Sequence, residues 1–252
     1  METDLSQRLN RPVEVMNFAI TGYGPNQYAA VVDKYVPIYH PDLVIVELFV
    51  NDFQDVEWSN EEFQYNIGFY EPSQTGIASY LRLEQLRSFF QYELFDTLSE
   101  YLTNQPQTKG YFLGNFRAFE KWRFDSMQDA SQKVKEKITE IKTVTGNQES
   151  KLLLVVAPAS VQVCKPSDLA YYPRHVDLFD SDLYDIEMPQ KLFSQVSTDL
   201  ESTMVDLRSA FRNVSECPYQ PKNMHWTSSG HEWVSNYLTD YLISENMIGT
   251  IP

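Results

Sequence analysis

Four stretches of the chain are apolar at nearly every position over the length of a strand. They are VEVMNFAI at 13–20, DLVIVELFV at 42–50, KLLLVVAP at 151–158 and TMVDL at 203–207. A strand with one wet face alternates apolar and polar residues, so continuous runs predict strands covered on both faces. Between the runs, apolar positions recur at helical spacing. Tyr28, Val32 and Val36 share a face in 27–36, and Ala130, Val134, Ile138 and Ile141 share one in 129–145, ahead of Gly146. Pro189 suits the first turn of a helix carrying Leu192, Phe193, Val196 and Leu200. The last helix holds Trp233, Tyr237 and Tyr241 on one face, with Ser229 and Glu232 spaced as a capping box. Buried strands alternating with helices predict an α/β fold in three layers around a mostly parallel sheet. In such sheets chemistry gathers beyond the C-terminal ends of the strands.

The alternation stops between Phe53 and Asp125, a segment with 18 of the 35 aromatic residues and one helical pattern at about 80–102. Within a single domain spanning 1–252, an insertion here is expected to be a lid or substrate wall, or a subdomain packed on one flank of the sheet.

Charge narrows the partners. A net charge of -15 with only 20 basic residues leaves no cationic stripe to follow phosphates, which argues against nucleic acid and anionic membrane surfaces. Neutral or cationic small molecules fit better. The apolar runs are too short to span a bilayer and no basic-then-apolar leader opens the chain, so a soluble protein is expected. Cys164 and Cys217 suit reduced thiols or one bridge equally, which leaves the compartment open, and the sequon at Asn213 matters only in a secretory setting.

No cofactor is predicted. His225 and His231 are spaced too widely for a zinc pair without further ligands, and His40 and His175 are expected in solvent-side loops. The acidic run Asp177, Asp180, Asp182, Asp185 and Glu187 lacks the glycine and spacing of a calcium loop, so a solvated face is expected.

Three predicted strand ends carry unusual chemistry. The first runs into Gly22 and Gly24, where glycine lets a backbone N–H approach a ligand. The second ends in Asn51-Asp52, and His225 stands just before the last helix. In this order, NFAITGYG, FVND and NMHWTSSGHEW resemble three of the four sequence blocks of the SGNH (GDSL-type) hydrolases. The resemblance implies a flavodoxin-like α/β/α fold and ester hydrolysis or acyl transfer on a small-molecule, carbohydrate or lipid ester. It implies oxyanion donors at Gly22, with Gly24 competing for that job, and at Asn51, and a general base at His225; Asp52 is not cast as the triad acid.

The chain departs from that family twice. No Gly-Asp-Ser nucleophile motif occurs in it; the opening METDLSQRLNRPVEV looks like the helix after that block, leading into the second strand. With the strand order 2-1-3-4-5, the absent strand would separate two that remain and leave edges to be covered. At the position of the triad acid stands Asn223, preceded by Lys222. An asparagine can fix the histidine tautomer but brings no charge to an imidazolium. The expected function is therefore an SGNH-type hydrolase that is inactive or crippled as it stands; the alternative is a non-catalytic module binding an acyl or carbohydrate ligand.

Overall fold

The structure, a computed structural model, describes residues 1–20, 22–56, 118–169, 172, 177–221 and 224–248. The helix expected at 80–102 and most of the aromatic-rich insertion lie outside the described residues.

Three strands, β1 (Leu43–Leu48), β2 (Lys151–Val156) and β3 (Thr203–Asp206), pair in that order, all parallel. Leu43 stands opposite Lys151 and Leu48 opposite Val156, while Leu153 to Val156 face Thr203 to Asp206. These are the three later apolar runs, trimmed at their C-terminal ends. Strand pleating sends alternate residues to opposite faces. Val46, Leu48, Leu154 and Val156 enter one core with α2 (Pro25–Tyr39), α4 (Phe124–Asn147) and α5 (Met188–Asp199). Leu153, Val155 and Val205 enter the other, with Leu5 of α1 (Glu2–Leu9) and Val234, Leu238 and Leu242 of α6 (Ser228–Ser244). Both parities of β2 must therefore be apolar, which is why its pattern does not alternate.

The helices run longer than their apolar stripes. α2 starts at Pro25, whose missing N–H costs nothing at a first turn, and α4 begins at Phe124, before the first residue of its predicted stripe. α6 is capped by Thr227, whose hydroxyl accepts the Gly230 N–H at 3.0 Å, and not by the expected Ser229 and Glu232 pair. The reason lies in a distant loop: a Cβ on Gly230 would come within 2.4 Å of the Pro218 carbonyl oxygen, so the chain from 218 crosses directly over this turn and fixes where the helix begins.

The expected strand at 13–20 does not form. Residues 14–20 are exposed and without regular structure, and their backbone N–H groups find side chains instead of a ladder. Val13 donates to Ser6 Oγ at 2.9 Å, Val15 to Glu2 Oε2 at 2.8 Å, and Ala19 to Asn17 Oδ1 at 2.8 Å. Phe18 stacks on Tyr35 of α2 with ring centroids 4.8 Å apart. Strand-like composition needs a neighbouring strand to pair with. Among the described residues β1 is paired on one edge only, by β2.

Candidate functional site

The chain leaves β1 through Phe49 and Val50 and turns at once into a single helical turn, α3 (Asp52–Asp55), with Asn51 at its N-cap. Asp52, fully buried, ties this turn together. Its Oδ2 accepts the Phe49 N–H at 2.8 Å, and its Oδ1 lies 3.1 Å from the Tyr28 hydroxyl of α2. Burial raises the Asp52 pKa well above the ordinary carboxylate value, against the pull of those two donors, and burial beside Asp52 raises that of Tyr28. The sequence analysis set Asp52 aside as a triad acid; its bond to Tyr28 is a contact between α2 and the turn.

Asn51 is half-buried, and its Nδ2 donates to Asp55 Oδ2 at 2.6 Å. Burial pushes the Asp55 pKa up to about 6, with the Asn51 amide pulling the other way, so the carboxyl is ionised at neutral pH. The sequence analysis missed Asp55; the available signal was its place one helical turn after Asn51.

The two glycines separate in role. Gly22 is exposed with φ 85°. Gly24 is buried, its N–H donates to Gln27 Oε1 at 3.0 Å, and a Cβ there would meet Asp55 Cβ at 2.7 Å. Gly24 thus no longer competes as an oxyanion donor: its amide is taken by the cap of α2, and its bare Cα makes room for Asp55.

The His225 loop is held by different means. Cys164, after β2, and Cys217, after β3, form a disulfide, settling the choice the sequence left open. Tyr219 and Trp226 form an antiparallel bridge, closed by Gln220 N–H to the His225 carbonyl at 2.9 Å and Thr227 N–H to the Pro218 carbonyl at 2.8 Å. The Tyr219 hydroxyl donates to the Pro158 carbonyl just past β2. Trp226 packs edge-on against Phe211, Tyr219 and His231. His225 itself is exposed.

Because β1 and β2 are adjacent and parallel, the topology brings Asn51 and the His225 loop to the same end of the sheet, beyond the C-terminal ends of neighbouring strands. Asn223, Lys222 and His175 lie outside the described residues. His231 is exposed in the first turn of α6, and His40 caps the C-terminal end of α2 at φ 46°. In the acidic run, Asp185 pairs with Lys191 at 2.7 Å and Glu187 with Arg208 at 2.5 Å, while Asp177 and Asp180 accept nearby backbone N–H groups. Among the described residues no group of three or more His, Cys, Asp or Glu is arranged to hold a metal. No described helix is long and apolar enough to cross a membrane.

A cleft of about 440 Å³ opens at the C-terminal end of β3, lined by Gln162, Val163, Asp206, Arg208, Ser209 and neighbours. Its Arg208 is already engaged by Asp206 and Glu187, and neither Gly22 nor Asn51 lines it. No family model, no curated protein and no solved structure matches the chain.

Proposed function

We propose that the chain is an SGNH-type ester hydrolase domain carrying an oxyanion donor at Asn51, a second at Gly22 and the general-base position at His225. Under this reading β1, β2 and β3 correspond to the third, fourth and fifth strands of a flavodoxin-like sheet. The observation that carries it is the pairing of parallel β1 and β2, with Asn51 beyond one and the Tyr219 anchor of the His225 loop beyond the other.

In acyl transfer the oxyanion of the tetrahedral intermediate is held by N–H donors aimed at charge that develops only in the transition state, each worth on the order of 10² in rate or more. Asn51 and Gly22 supply such donors; His225 would take a proton from a hydroxyl nucleophile. Asn223 can orient an imidazole through its carbonyl but not stabilise an imidazolium, a change that costs about 10⁴ in kcat in serine triads. The 252 residues contain no Gly-Asp-Ser motif, the family's source of the nucleophilic hydroxyl. These residues alone therefore hydrolyse no ester, and the same absence favours, as the second reading, a module that binds an acyl or carbohydrate ligand without turnover.

Hydrolysis of p-nitrophenyl butyrate tests both. The chain should release nitrophenol at the buffer rate, unchanged by His225→Ala; turnover that His225→Ala abolishes would contradict the inactivity. A fusion supplying an upstream strand that ends in Gly-Asp-Ser should gain turnover that His225→Ala removes. A folded but inert fusion that still binds the ester would leave the binding module standing.

A further inference from the structure

An asparagine side chain has a donor end and an acceptor end related by a half-turn of its amide, and only the donor end can hold an oxyanion. Something must therefore choose between them. The Asn51 Nδ2 donates to Asp55 Oδ2 at 2.6 Å, and an ionised carboxylate accepts only, so the turned amide would set its carbonyl oxygen against a negative charge. One Nδ2 hydrogen is spent in this bond. Among the described residues no second acceptor is bonded to Nδ2, and Asn51 is only half-buried.

The geometry points to Asp55 as a positioning residue that locks the Asn51 amide with its second Nδ2 hydrogen free to donate to a ligand carbonyl. This rests on the oxyanion-donor reading of Asn51. An independent observation supports the lock: the Asp55 side chain is seated against the bare Cα of Gly24, where any Cβ would stand 2.7 Å from Asp55 Cβ. Three groups from two parts of the chain thus define one amide orientation. Gly24 gives the space, Asp55 the charge and Asn51 the donor. The ligand suited to that donor is a neutral acyl carbonyl, since the net charge of -15 disfavours anions.

The test is nuclear magnetic resonance of the Asn51 side-chain amide in the full chain, with ethyl butyrate as the probe. The Nδ2 proton bonded to Asp55 should lie well downfield of its geminal partner at neutral pH and lose that separation on acidification, with a midpoint near 6. The other titratable groups facing this turn are Asp52 within it, Tyr28 from α2 and Glu47 from β1; Asp52→Asn should leave that midpoint in place. Asp55→Asn should abolish the titration and collapse the separation, and Gly24→Ala should weaken both with Asp55 still present. Ethyl butyrate should shift the second Nδ2 proton in the wild type and at least several-fold less in Asp55→Asn. An amide pair and ester response unchanged in Asp55→Asn overturn the inference. A pair that depends on Asp55 but ignores the ester upholds the lock and sinks the oxyanion reading.

Discussion

The Tyr219 hydroxyl donates to the carbonyl oxygen of Pro158, joining the loop that bears His225 to the end of β2. Both residues are buried, so neither group can exchange its partner for water without opening the site. Tyr219→Phe keeps the ring and its packing on Trp226 but strands the Pro158 carbonyl. A buried acceptor left unsatisfied costs about 1–3 kcal/mol. A urea titration of the variant should show a lowered midpoint with an unchanged slope, so that the product of the two falls by that amount.

The Cys164–Cys217 bridge closes a loop with a sequence separation of 53. Loop-closure entropy for that length amounts to about 4 kcal/mol, although strain and residual structure in the unfolded chain often reduce the measured value. Reduction, or a Cys164→Ala and Cys217→Ala double variant, should lower stability by up to about 4 kcal/mol. The first region to become sensitive to protease should be the loop before α6, which loses its covalent tie to the segment after β2. A reduced protein with unchanged stability would show that the bridge is dispensable.

Gly230→Ala sets helix propensity against packing. Alanine favours a helix interior by about 1 kcal/mol over glycine. Its Cβ would meet the Pro218 carbonyl oxygen at 2.4 Å, a backbone atom held by the Thr227 N–H and near the disulfide. The clash should win, with a net loss of roughly 2 kcal/mol or more, read as a lowered Tm.

Stability should depend on pH with an unusual sign. An unfolded aspartate titrates near 3.9, whereas folded Asp55 titrates at about 6 and Asp52 is raised too, both chiefly by burial. A carboxyl whose folded pKa is raised stabilises the fold fully below its unfolded value and loses that contribution as pH rises through the folded one. Between pH 4 and 6 the wild-type Tm should therefore fall, and the fall should be shallower in Asp55→Asn. Asp185 and Asp199 have lowered pKa values and act with the opposite sign, but below this window. A Tm difference between wild type and Asp55→Asn that stays constant across the window would contradict the assignment.

Much of the fold was legible because burial on both faces leaves a plain mark: β1 and β2 are apolar at successive positions, and α4 and α5 carry clean stripes. The same mark misled at 13–20, since composition reports the readiness to pair and not the presence of a partner. The α6 cap was misplaced because Thr227 and Ser229 are equally good caps in isolation, and the choice was made by Pro218, nine residues before Thr227 and across the chain. At the β1 turn, Asn51 was legible as a polar residue just past a strand end, whereas the strand expected before Gly22 does not form. Asp55 was not legible, because its importance comes from contact with the bare Cα of Gly24, about 30 residues away. The disulfide was undecidable, since two cysteines in sequence carry no distance.

Among the described residues no strand pairs with the edge of β1 away from β2, and an edge of that kind presents backbone donors and acceptors that a second copy could extend, the usual route by which sheets aggregate. Against such pairing stands the charge of -15 on every copy. Like charges repel over about 8 Å at 0.15 M salt and over about 3 Å at 1 M. The colloidal behaviour of the protein thus hangs on ionic strength, and concentrated stocks should keep best in dilute buffer well above the isoelectric point.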